Sequence, residues 1–263
     1  MTSQMQLPLE EPKLPTGIDA EKYEAMSRSR VTIPDHVNPQ LAYLAGALRD
    51  GSISLTETAI GKKCYVAFCN SSYRWLAEVI RPTLASLFGI PVALPFPDRS
   101  KWQVRVRKHS IVRFLADLYG HPIGKQTGWG TPPFVLSAPK EIQKWYIRGF
   151  FDSEGGCGNV RKLAGKYKQQ SMFPIRFYSG WDESGCPPLE DLARMIRGFG
   201  INCSVPIRER HFIQKRIVTK VAMYYTHVRS AGDKLRFLNE IGSSHPEKRT
   251  NLLVLSRMIV ARS

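Results

Sequence analysis

The residues best placed to do chemistry are two acids, each closing an apolar run and each followed by glycine. The first run, Tyr43-Leu-Ala45-Gly46-Ala-Leu-Arg49, ends in Asp50-Gly51. The second, Ile147-Arg-Gly149-Phe-Phe-Asp152-Ser153, ends in Glu154-Gly155. A small residue stands five positions before each acid, Ala45 in one and Gly149 in the other, and Gly46 adjoins Ala45. Small residues let two helix backbones approach closely, so Ala45, Gly46 and Gly149 are expected at a helix crossing. Such a crossing would bring Asp50 and Glu154 together at the helix ends. A carboxylate at the negative end of a helix dipole is unfavourable, and a bound cation offsets that. Paired carboxylates on a basic chain suit a hard divalent metal. Asp50 and Glu154, with their neighbours Arg49 and Ser153, are the expected metal-site residues.

The elements that carry these acids occur twice. Residues 1–38 read as an N-terminal extension broken by Pro8, Pro12, Pro15 and Gly17, with a short helix capped by Asp19 and compact structure from Pro39. A first unit, 39–120, starts with the helix ending at Asp50. It continues through strands near 52–59 and 63–69 to a helix from Tyr73 to Phe88 that Pro82 should kink. Strands near 91–96 and 101–108 and a helix carrying Ile111, Phe114 and Leu118 complete it. Residues 121–139, rich in Pro and Gly, read as a linker. The second unit, 140–263, repeats the order: a helix ending at Glu154, strands near 157–163 and 171–179, a helix with Leu189, Leu192 and Ile196, strands near 203–212 and 217–228, and a helix with Leu235 and Leu238. A last helix spans about 246–260. Matched landmarks (Asp50-Gly51 with Glu154-Gly155, Phe88-Gly89-Ile90 with Phe199-Gly200-Ile201, Arg113-Phe114-Leu115 with Arg236-Phe237-Leu238) are collinear at offsets of 104, 111 and 123 residues.

Composition points to the partner. The 263 residues hold 38 Lys+Arg against 22 Asp+Glu, a formal charge of +16. Self-repulsion of that size favours an anionic partner, nucleic acid first and an anionic membrane second. No apolar run approaches the roughly 20 residues that span a bilayer, and residues 1–16 lack the apolar core of a secretory signal. The five cysteines are odd in number and form no C-x-x-C pair, so neither a disulfide framework nor a zinc site is expected. Reduced thiols and an intracellular location follow. Strand 103–107 alternates Val104 and Val106 with Gln103, Arg105 and Arg107; Arg176 and Tyr178 alternate with Ile175 and Phe177. Arg208 and Arg210 share one face of a later strand. A sheet with one apolar and one basic face suits a DNA groove. The loop holding Arg161, Lys166 and Lys168 is a candidate for phosphate contact.

The paired motifs, spaced through the two units, resemble the LAGLIDADG homing endonucleases, and the resemblance runs from about Pro39 to the end. His245-Pro246-Glu247-Lys248 ahead of the last helix also resembles this family. The resemblance implies an α+β fold of two pseudo-symmetric αββαββα repeats, forming a DNA-binding saddle of antiparallel sheets. It implies a monomer that makes a double-strand break with short 3′ overhangs at a long asymmetric site in double-stranded DNA. Two or three Mg²⁺ ions would sit between the motifs, with Mn²⁺ substituting and Ca²⁺ supporting binding only. It further implies a cation near each metal site. The candidates are Lys101, Arg107 and Lys108 in the first repeat and Lys220 and Arg229 in the second, and Lys108, Arg107 and Arg229 join Asp50 and Glu154 as expected catalytic residues. The alternatives are an intron-splicing maturase acting on RNA, a cleavage-inactive DNA-binding module of the same fold, and a basic structural or ribosome-associated protein. No protein-splicing residues are seen at the ends, so excision from a larger precursor is not expected.

Overall fold

A computed structural model describes residues 12–27, 30–58, 61–123, 128–158, 160, 173–181, 185–209 and 222–261. Helix α1 (Ala20–Ala25) is capped by Asp19, whose side chain accepts from Glu21 N. Helix α2 (Pro39–Ala47) starts where the Asn38 side chain accepts from Leu41 N, with Pro39 in the first turn, where its missing N–H has no partner to lose. Every residue from Leu41 to Ala47 is buried. A 3₁₀ turn, Leu48–Asp50, passes the chain into β1 (Gly51–Thr58). β2 (Gly61–Asn70) follows, then α3 (Tyr73–Trp75), a π-helical turn (Leu76–Ile80) and α4 (Arg81–Phe88). β3 (Phe96–Asp98), β4 (Lys101–Val106) and α5 (His109–Tyr119) come next. α6 (Pro133–Ser137) leads to α7 (Lys140–Glu154), which runs directly into β5 (Gly155–Gly156). Beyond it lie β6 (Ile175–Trp181), α8 (Pro187–Gly198), β7 (Ile207–Arg208), β8 (Ala222–Val228), α9 (Ala231–Glu240) and α10 (Pro246–Val260).

The strands form two antiparallel four-stranded sheets with the same connectivity, β1-β2-β4-β3 and β5-β6-β8-β7. Strand alternation gives each sheet a core face and an open face. In the first sheet Ile53, Val66, Phe68, Val104 and Val106 point inward and are buried. In the second, Ile175, Phe177, Thr226 and Val228 do so. Phe177 packs edge-on against Phe151 and Phe237, with centroids 5.6 and 5.8 Å away, which fastens α7 to its own sheet.

Several local readings change; the strand expected near 91–96 begins only at Phe96, and Cys157 and Gly158, expected to open a strand, lie outside one. The segment before Pro39 is no loose extension from residue 12 on. Tyr23 is 4% exposed, donates to Asp117 at 2.8 Å and meets Phe114 edge-on at 5.5 Å. Val31, Ile33 and Val37 are buried beside it. The stretch between the units contains α6, whose Phe134 stacks on Tyr119 at 6.1 Å. The 73–88 helix meets its proline by widening ahead of it. Pro82 has no N–H for the i−4 carbonyl, and the π turn just before it absorbs the mismatch, with Arg81 N bonding Leu76 O.

The two sheets are joined through α2 and α7, which touch along their lengths. A Cβ added at Gly149 would run into Tyr43 O and lie 2.9 Å from Ala47 N. One at Gly46 would run into Tyr146 O and come within 2.5 Å of Phe150 N. These obstacles are backbone, which cannot swing aside as a side chain can. Gly149→Ala should therefore destabilise the protein by at least the ~1–3 kcal/mol typical of overpacking, read as a lowered urea midpoint. Ala at solvent-facing Gly232, where nothing lies within 4 Å, should change it little.

Candidate active site

Asp50 ends the 3₁₀ turn after α2, and Glu154 ends α7. The glycine after each acid is required by space. A Cβ at Gly51 would lie 2.8 Å from Leu48 Cδ1, and one at Gly155 would lie 2.8 Å from Phe151 Cα. The close crossing of α2 and α7 delivers both acids to one place. There a cavity of about 380 Å³ is lined by Asp50, Asn70, Lys101, Ser153, His245 and Lys248, among others. Lys101 Nζ donates to Asp50 Oδ1 at 2.8 Å. Burial pushes the Asp50 carboxyl up, and Lys101 and then Lys248 pull it down. Glu154 is pushed up to about 7, first by burial and then by the negative charge of Asp50, against Lys248, Lys101 and Arg49. The two carboxylates thus feel one another.

Two residues that sequence reasoning did not single out support the pair. Lys248, in the first turn of α10, donates to Phe151 O at 2.9 Å, Asp152 O at 2.7 Å and Ser153 O at 3.3 Å. It caps the carbonyl end of α7 immediately before Glu154. Burial lowers its ammonium to about 8, although Asp152, Glu154 and Asp50 hold the charged form. Asp152, 0% exposed, is the hub behind the site. It accepts from Tyr43 OH at 2.8 Å, Ser244 N at 2.9 Å, His245 N at 3.2 Å and the Ser243 hydroxyl. Trp75 Nε1 donates to Tyr43 OH at 2.8 Å, and the Trp75 ring stacks on His245 at 5.5 Å. The hub thereby locks α2, α3, α7 and the start of α10 to one another. The only sequence trace of Lys248 was the segment His245-Pro246-Glu247-Lys248, and Asp152 lay inside the second motif without an assigned task.

Several expected residues stand elsewhere. Arg49 is turned away from metal work: its guanidinium donates to Trp129 O and Gly130 O at 2.9 Å and Tyr146 OH at 2.8 Å, and lies 3.9 Å over the Trp129 ring. A cation with no free lone pair is no ligand, and Arg49 ties the segment before α6 to α7. The Ser153 hydroxyl donates to Gly46 O and Phe150 O at 3.1 Å, so it belongs to the helix crossing. Arg107 and Lys108 follow β4 at the end away from Asp50, because β4 numbering rises as β1 leaves the acid. By strand rise they lie roughly 20 Å from Lys101. They line a separate open cavity with Ile90, Val92, Phe96 and Arg105. Arg229 is exposed beyond β8, again at the end away from its acid.

The open faces carry part of the expected basic surface. Arg105 lies 4.4 Å over Tyr65 and 5.3 Å from Phe96, and it donates to Gln103 Oε1. Arg176 reaches Tyr178 OH at 3.3 Å and lies 5.4 Å from the Tyr225 ring. Opposite Arg176 stands His227, and opposite Tyr178 stands Tyr225, both on this face and neither foreseen. Arg208 pairs with Tyr224 and shares its face, the face opposite to Arg176 and Tyr178, because the two-residue β7 puts Ile207 opposite Tyr225. Arg161, Lys166, Lys168, Arg210 and Lys220 lie outside the described residues.

The sheet pair and the helix crossing between them are a fold that this chain shares with solved homing endonucleases. In sequence the chain is 31% identical over 141 residues to homing endonuclease I-ApeI of Aeropyrum pernix, covering 52% of this chain and 62% of that relative, just under two thirds of its length. The structure of I-DmoI in complex with DNA and Ca superposes with a TM-score of 0.57 at 15% identity, over 82% of this chain and 98% of that one. Homing endonuclease I-WcaI bound to its DNA recognition sequence gives 0.52 at 14% identity, over 88% and 91%. No family model matches the chain.

The raised Glu154 carboxyl has a measurable consequence. Without metal, the folded protein keeps a proton between the ordinary 4.5 and about 7 that the unfolded chain releases. That contribution to stability is complete below the ordinary value and is lost as pH rises through 7. The melting temperature of metal-free wild type should therefore fall relative to Glu154→Gln between pH 5 and pH 8. A constant difference across that range would show that Glu154 titrates normally.

Proposed function

We propose that the chain is a site-specific DNA endonuclease that breaks both strands of a long, asymmetric duplex site, acting as a monomer with Mg²⁺. The observation that carries this reading is the convergence of Asp50 and Glu154 at the end of the α2–α7 crossing, where Asp50 lines the cavity and bears on the Glu154 carboxyl, between two sheets whose open faces bear Arg105 and Arg176. Diverged sheets read diverged half-sites, so the sequence recognised need not be palindromic.

The donor set fits a divalent cation. Two carboxylates meet in a partly buried site, where burial and then their repulsion raise Glu154. No cluster of three or more His, Cys, Asp or Glu exists among the described residues. Asp50 and Glu154 would hold the ions and phosphate oxygens of the substrate would complete the shell, so the site is finished only when DNA is present. When bound, the ions supply Lewis acidity at the phosphate and make water a stronger nucleophile at neutral pH. Lys101, 48% exposed at its side chain, can leave Asp50 to donate a proton or hydrogen bond to a phosphate oxygen. Asp152 and its partners keep both acids fixed at the helix ends. Arg105 and Arg176 sit beside aromatic neighbours, presenting donor-rich side chains that suit guanine or phosphate.

Asp50→Asn and Glu154→Gln should each abolish double-strand cleavage, at least 10²-fold, while leaving gel-shift affinity intact. Excess chelator, or Ca²⁺ in place of Mg²⁺, should give binding without cutting. Either amide variant cutting at the wild-type rate would move the active site elsewhere.

Binding should also weaken steeply with salt, with a log–log slope on the order of −5, because Lys and Arg displace counterions from phosphates. A slope near zero in fluorescence anisotropy titrations would remove nucleic acid as the partner.

A further inference from the structure

The two repeats can be aligned by strand register. Gly51 pairs with Phe68, and Phe68 with Val104; Gly155 pairs with Phe177, and Phe177 with Thr226. Val104 and Thr226 are equivalent, and three residues earlier stand Lys101 and Met223. Lys101 donates to Asp50. Met223 holds the matching position toward Glu154 and carries no charge. The first half of the centre thus has a partly exposed ammonium on the sheet, and the second half has a thioether in its place.

The Glu154 half has Lys248 instead, and the two lysines are not alike. An ammonium has three N–H donors, and those of Lys248 are directed at the carbonyls of Phe151, Asp152 and Ser153. None is left for a phosphate oxygen or a water. Lys248 acts through the helix end it caps. The electrostatics divide the same way: Lys101 acts ahead of Lys248 on Asp50, and Lys248 ahead of Lys101 on Glu154.

Resting on the endonuclease reading, we propose that the centre is unequal in its two halves. Lys101 is the donor of the Asp50 half, Lys248 is a positioning residue that fixes Glu154, and Met223 leaves the second half without a donor from the described sheet. The strand served by the Asp50 half is therefore cut first, and a nicked duplex accumulates.

The test uses the full chain, Mg²⁺, and a cleavable duplex recovered from a randomised library, labelled on one strand or the other. Wild type should pass through a nick in a fixed strand. Lys101→Met should slow that strand by about 10²-fold, as loss of one transition-state donor does, and reverse the order of cutting. Met223→Lys should speed the other strand and shrink the nicked intermediate. Lys248→Met should slow the second cut and lower the melting temperature of the metal-free protein. If Lys248→Met does not fold, Met223→Lys alone decides. Equal rates on both strands in wild type, equal slowing of both by Lys101→Met, or no effect of Met223→Lys overturns the proposal. A wild type that cuts no duplex at all would instead sink the endonuclease reading beneath it.

Discussion

The structure depends on one contact, the backbone-to-backbone crossing of α2 and α7. Everything chemically active lies at its end. The crossing is possible because Gly46 and Gly149 present no side chain, and each sits where a Cβ would strike the other helix's backbone. Close approach also makes the Ser153 hydroxyl a bridge to Gly46 O. Helices held this tightly fix the relative position of their last residues, and the last residues are the acids. A looser crossing would leave the fold of each sheet intact and separate Asp50 from Glu154.

That arrangement concentrates negative charge where a helix end is already negative. On a chain of net charge +16 the acid centre is a local exception, and the fold answers it with local cations. Lys101 neutralises Asp50 directly, while Lys248 donates to the last carbonyls of α7, the groups that carry the negative pole of the helix. Neither offsets burial and repulsion fully, and Glu154 remains near 7. Asp152 is handled differently. It is fully buried and accepts four hydrogen bonds, so its charge is satisfied by the protein itself. Two carboxyls two residues apart thus have opposite tasks: Asp152 is closed within the core and Glu154 is left wanting a cation.

What the sequence made legible follows from range. The acid-bearing helices, the glycines after them and the alternation of β4 and β6 are local patterns, and they could be read from local residues. The hub was hidden because its members are far apart in the chain: Tyr43 reaches Asp152 across 109 positions. Tyr23 reaches Asp117 across 94, which is why Pro8, Pro12 and Pro15 suggested a loose extension where from residue 12 the chain packs. Choosing Lys101 over Arg107 and Lys108 requires strand register, since all three are basic and near one another in sequence. Arg49 misled because adjacency to an acid says nothing about direction. On the 3₁₀ turn its side chain leaves on another side and enters the Trp129–Gly130 segment.

The same register that fixes the centre frees the periphery. On each sheet the inward positions must fill a core, and Phe68 and Phe177 stand at equivalent places against the acid-bearing turns. The outward positions answer to no such constraint. Arg105 is flanked by Tyr65 and Phe96 and the equivalent residue of the second sheet is His227; Arg176 is flanked by Tyr225 and its equivalent in the first sheet is Ala67. Equivalent core positions stay close in size, Phe68 with Phe177 and Val104 with Thr226, while equivalent open-face positions differ in charge, size and hydrogen-bonding capacity. A dimer of identical repeats would be bound to identical open faces. Joining two repeats in one chain lets each face change independently, as Arg105 against His227 and Arg176 against Ala67 show.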